Sequence, residues 1–127
     1  MNKYIQFSGF IKDFSDVEDL LVDSAVAVAP YVDDDMTYTR YTDPGKPKDY
    51  LASGIPVIIT KVPEVAYEIE KSRCGIAIND SYKELKDAII TLLTNGDMLY
   101  EFRKNALQMA QKYTWDKVFD KAFEKTL

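Results

Sequence analysis

The 127-residue chain is 46% hydrophobic, which suits one buried core and is too little for two, so residues 1–127 are expected to form a single domain. Its 16 basic and 21 acidic residues give a net charge of -5, which repels phosphate backbones and anionic headgroups and argues against nucleic acid or a membrane surface as a partner. The chain has no histidine, which excludes Ser-His and Cys-His nucleophile pairs and removes the commonest general base and neutral metal ligand.

In chain order, residues 4–10 are rich in aromatic and β-branched side chains and run into Gly9, which predicts a short strand and a turn. Ser15 with Glu18 forms a capping-box pattern ahead of Val17, Leu20 and Leu21 at helical spacing, and this pattern stops near Ser24. Residues 25–29 (Ala-Val-Ala-Val-Ala) are continuously apolar up to Pro30, the mark of a strand covered on both faces, as in a parallel sheet. Residues 31–45 follow neither periodicity and predict a long loop, a feature that usually carries function.

A short helix is expected to begin around residues 44–47 and to end at Gly54. Residues 56–60 read as a second buried strand, residues 63–73 as a helix with Val65 and Ile69 inward, and residues 75–78 as a last strand. Ser81 with Glu84 opens a helix through Leu93, Asn95-Gly96 breaks it, Asp97 caps a second helix to about Lys112, and a third follows Thr114. Alternating strands and helices predict an α/β doubly wound, Rossmann-like parallel sheet of about four strands with a helical C-terminal extension.

The lone Cys74 cannot form an internal disulfide and suits a reducing compartment, so a cytoplasmic location is expected. No apolar run approaches the roughly 20 residues that span a bilayer, and residues 1–8 contain no signal-peptide core.

Doubly wound sheets bind ligands beyond the carboxyl ends of their strands, which is where the loop at residues 31–45 is placed. The helix after it offers free N–H groups and the positive end of its dipole, and Lys46 and Lys48 add charge, so a phosphate fits there; both lysines would equally suit a solvated surface. Arg40 has the geometry for a bidentate phosphate clamp, and Tyr38 and Tyr41 could stack on a base or sugar or simply pack. Asp33, Asp34 and Asp35 suggest a divalent cation but are read as a solvated acidic loop, and no metal is assigned. Trp115, Phe119 and Phe123 recur every four residues and are read as the apolar stripe of a docking helix.

Residues 25–30 together with residues 43–60 resemble the donor-binding region of family 4 glycosyltransferases and their GT-B relatives. Pro44, Lys46, Tyr50, Ala52, Gly54, Pro56 and Val57 match the family pattern Pro-x-Lys-x-x-Glu-Tyr-x-Ala-x-Gly-x-Pro-Val in register, with Asp49 where the family usually has glutamate. Residues 5–11, containing Gly9, are similar to the family's strand before the loop that touches the nucleobase, and Arg103, Asn105, Ala106 and Tyr113-Thr-Trp115 are similar to its closing helices.

The resemblance implies half of a GT-B fold that binds a UDP- or GDP-linked sugar, acts in polysaccharide biosynthesis, and needs neither a metal nor another cofactor. It places Lys46 on the donor diphosphate and Asp49 on the ribose hydroxyls, with Arg40, Tyr41, Thr42 and Gly9 completing the nucleotide-sugar site. Tyr41 stands where the family's first glutamate falls. The resemblance begins after two strands that open the family's donor domain, and after its acceptor-binding domain. The expectation is therefore that a further domain or subunit holds the acceptor, and that this chain alone binds donor, self-associates and transfers no sugar. A non-catalytic nucleotide-sugar-binding subunit, a sugar-nucleotide epimerase-like domain and a receiver-type domain are the alternatives. The receiver reading is disfavoured because the acidic run follows the second predicted strand and not the first.

Overall fold

The computed structural model describes residues 3–34, 36 and 38–126. Three parallel strands, β1 (Ala27–Ala29), β2 (Val57–Thr60) and β3 (Gly75–Ile78), lie in the order β1-β2-β3. Ala27 is in register with Val57, and Val57 with Gly75. Helices α2 (Gly45–Ala52) and α3 (Val65–Lys71) make the two crossovers, α1 (Phe14–Val22) precedes β1, and α4 (Tyr82–Thr94), α5 (Gly96–Ala110) and α6 (Trp115–Glu124) follow β3. This is the α/β doubly wound architecture expected from the alternation of elements, with three strands among the described residues in place of about four.

The strand expected at residues 4–10 is absent: residues 5–12 have no regular structure and are exposed apart from the half-buried Ile11. A β-prone run needs a ladder partner, and among the described residues no strand pairs with this one. The capping box on Ser15 does not form either. Asp13 takes the N-cap position in extended conformation without a side-chain cap bond, which places Ser15 inside α1.

β1 is shorter than expected and lies at the edge of the sheet, so its apolar run is not covered on both faces; Val28 is 37% exposed. β2, between two neighbours, is wholly buried. Its alternating side chains feed two cores, as a period of two requires. Val57 and Ile59 pack with Leu51, Val65, Ile69, Cys74, Ala106 and Met109, while Ile58 packs with Ile78, Ala88, Leu92 and Phe102. Gly75 is dictated by β2, because a Cβ there would stand 2.1 Å from the Val57 carbonyl oxygen.

The C-terminal helices end and begin at their capping residues. Ser81 accepts from the Glu84 N–H as the spacing predicts. Asn95, and not Asp97, caps α5 by accepting from the Met98 N–H; Asp97 instead places its charge in the first turn, where the dipole favours it. Gly54, at φ +69, turns the chain out of α2 into β2, a conformation that costs glycine nothing. Arg103 donates to the Ser24 carbonyl and Asn105 to the Arg73 carbonyl, and Ala106 is fully buried, so this trio fastens α5 onto the sheet layer. Among the described residues, no helix is long and apolar enough to cross a membrane.

Candidate functional site

The carboxyl ends of β1 and β2 open on the long loop of residues 30–44 and on the turn into α3. Among the described residues of this loop, only Thr39–Tyr41 takes regular form, a single 3-10 turn. Its start is fixed to the sheet by buried Thr60, whose Oγ1 donates to the Tyr31 carbonyl at 2.6 Å. Its middle is tied to itself by an ion pair between Arg40 and Asp33. Its end passes through Pro44, the extended N-cap of α2, which carries no capping side chain. The N–H groups of Gly45 and Lys46 are therefore left without intrahelical acceptors at the positive end of the helix.

Three clefts surround this point. One of about 470 Å³ is lined by Arg40, Tyr41, Thr42, Asp43, Glu64, Val65, Glu68 and Tyr113. A second of about 310 Å³ lies between α1 and α2, with an apolar wall of Phe14, Leu21 and Val22 and polar groups from Glu18 and Asp49. A third of about 490 Å³ separates α2 from the end of α5 and the start of α6, and includes Gly45, Lys48, Asp49, Tyr113 and Trp115. The first and third clefts share Asp43 and Tyr113.

The three cations of this region differ in what they touch. Arg40 is held by Asp33, which raises its pKa, chiefly through the hydrogen bond. Lys48 is paired with Asp43, and its Nζ lies 4.7 Å from the centre of the Tyr113 ring. Lys46 is exposed and has no partner among the described residues. Lys46 and Asp49 are three residues apart, so they lie on the same side of α2.

The model of a family described as Glycosyl transferases group 1 matches residues 1–95. The chain belongs to that family. Its reaction class is accordingly glycosyl transfer, on a Rossmann-like domain consistent with half of a GT-B fold. No curated protein and no solved structure matches the chain.

Of the residues singled out for this glycosyltransferase domain, Arg40, Tyr41 and Thr42 come together in the first cleft, and Asp49 lines the second and third. Lys46 stands at the mouth of α2, outside all three clefts. Gly9, at φ +68, lies in the irregular N-terminal segment and lines none of them. Tyr38 and Tyr41 are both largely exposed. Asp33 and Asp34 are exposed and Asp35 falls outside the described residues; among the described residues, no three His, Cys, Asp or Glu side chains are grouped to hold a metal ion.

Three further residues of the first cleft were not expected at the site: Glu64 and Glu68, from the turn into α3 and from α3 itself, and Tyr113, which the sequence marks only as part of the closing helices. Tyr113 donates its hydroxyl to Glu68 at 3.1 Å, and burial first, then Glu68, pushes the phenol far above its usual range, so it stays protonated. Cys74 is fully buried beside Met109, with its thiol pushed up to about 11 by burial, which fits a packing role.

Proposed function

We propose that this chain is the donor half of a GT-B glycosyltransferase and binds a UDP- or GDP-linked sugar around the N-terminal end of α2. The observation that carries the proposal is that Lys46, the cation of segment 40–48 without a carboxylate partner among the described residues, shares a side of α2 with Asp49 at an uncapped helix start. A diphosphate there meets the N–H groups of Gly45 and Lys46, the helix dipole and the Lys46 ammonium together. In transfer, the same groups offset the charge that builds on the departing diphosphate, so no metal or other cofactor is required.

From that anchor, Asp49 accepts from the ribose hydroxyls in the cleft between α1 and α2, where Phe14, Leu21 and Val22 give a base an apolar wall and Gly9 lies upstream. The sugar extends the other way, toward Arg40, Tyr41 and Thr42. Arg40 is neutralised there and Asp43, Glu64 and Glu68 supply acceptors, so this cleft suits sugar hydroxyls better than a second anion. Nothing in this arrangement holds an acceptor hydroxyl about 3–3.5 Å from the sugar carbon, as transfer requires, and that task is assigned to an acceptor-binding domain or subunit.

Calorimetry with UDP and GDP tests the proposal. One of the two is expected to bind, with affinity retained in EDTA. Lys46→Ala should weaken it by about 1.5–3 kcal/mol, the size of a charge-assisted hydrogen bond. Silence with both nucleotides, or an unchanged affinity in Lys46→Ala, would count against the site.

A further inference from the structure

We infer that Tyr113, which lies outside the residues matched to the family, is a positioning residue for the donor: it holds the end of the long loop against the start of α2. The inference rests on the donor reading above. The Lys48 side chain is only 24% exposed; it is paired with Asp43 and lies with its Nζ over the Tyr113 ring, 4.7 Å from the ring centre. The other end of Tyr113 is fixed by its hydroxyl bond to Glu68 of α3. A chain of contacts therefore runs from the last loop residues through α2 and Tyr113 to α3.

This chain matters because of what adjoins it. Asp43 immediately precedes Pro44, the N-cap of α2, and so lies next to the unpaired N–H groups of Gly45 and Lys46. Among the described residues, the loop's other side-chain ties include Thr60 to the Tyr31 carbonyl at its start and, within itself, Arg40 to Asp33, the Met36 N–H to Asp34 and Thr42 to the Thr39 carbonyl. Removing the ring from beneath Lys48 frees its ammonium and with it Asp43. A diphosphate would then have to order the Asp43–Gly45 backbone as it bound, and that ordering cost lowers affinity. A planar ring is needed because it attracts a cation over its face while packing as an apolar wall of both clefts.

The test uses whichever of UDP and GDP binds. Tyr113→Leu is expected to weaken that nucleotide about tenfold by loss of preorganisation, whereas Tyr113→Phe, which keeps the ring and loses only the bond to Glu68, should stay within about threefold. Asp43→Asn and Lys48→Met cut the same chain at other points, so each should weaken binding similarly, and neither should add to Tyr113→Leu in a double mutant. Should Tyr113→Leu fail to fold, Asp43→Asn and Lys48→Met carry the test.

Undiminished affinity in the Leu and Asn variants, while Lys46→Ala loses it, would overturn the inference and leave the donor site standing. A Phe variant as weak as the Leu variant would overturn it too, because the ring would then not be the cause. A wild-type chain that binds neither nucleotide removes both readings.

Discussion

Residues 4–10 and β2 are both apolar, β-prone runs, and they end in opposite states. β2 lies between two parallel neighbours with every side chain buried, whereas residues 4–10 form no strand and Phe10 is 93% exposed. The contrast extends to the elements beside them: α3, α4 and α5 each bury side chains against the sheet, while α1 buries none. Propensity makes a segment eligible to be a strand, and a hydrogen-bonded neighbour makes it one. Stability should therefore be concentrated from β1 onward, with the N-terminal segment adding little.

The largest test of this contrast is Ile58→Ala against Phe10→Ala. The first removes a fully buried side chain from the core between the sheet and α4 and should cost about 2–5 kcal/mol in chemical denaturation. The second, at an exposed position, should stay within about 0.5 kcal/mol. A Phe10 variant as damaged as the Ile58 variant would show that the N-terminal segment packs on something after all.

A smaller effect sharpens the account of the sheet itself. Gly75→Ala places a Cβ against the Val57 carbonyl and within 2.5 Å of Ile69 Cγ2. Pushing β3 away from β2 and α3 should cost about 1–3 kcal/mol by overpacking. A melting temperature equal to wild type would mean that the two strands are not so closely apposed.

The smallest effect comes from Cys74 at the centre of the buried half. Its folded thiol titrates near 11 against an ordinary 9.0, so below pH 9 both states hold the proton and stability is unaffected. Between pH 9 and 11 the unfolded chain loses its proton first, and stability falls, by on the order of 1 kcal/mol by pH 10. Cys74→Ala lowers stability at all pH values but should flatten this alkaline slope; an unchanged slope would assign it to tyrosines.

The candidate site divides along similar lines. Lys46 and Asp49 could be placed on one helix side because proline and glycine signals bracket α2 and their spacing does the rest. Glu64, Glu68 and Tyr113 could not be placed in the first cleft, because they reach it from elements distant in sequence, and neither period 2 nor period 3.6 encodes such a meeting. By charge and by nearness to the helix start Lys46 and Lys48 are alike, and the motif resemblance alone singles out Lys46. The fold adds a physical difference: Lys48 has a carboxylate and an aromatic ring, and among the described residues Lys46 has neither.

Local physics written in the chain determined the parallel α/β alternation, the bounds of β3, the Ser81 cap and the glycine that ends α2, because each depends on residues within a few positions of one another. Tertiary structure alone decided that residues 5–10 form no strand, that β1 lies at an edge, and that Tyr113 closes against the end of the long loop. Those outcomes depend on which surfaces meet across the fold, and burial and pairing between distant segments have no signature in any single stretch of sequence.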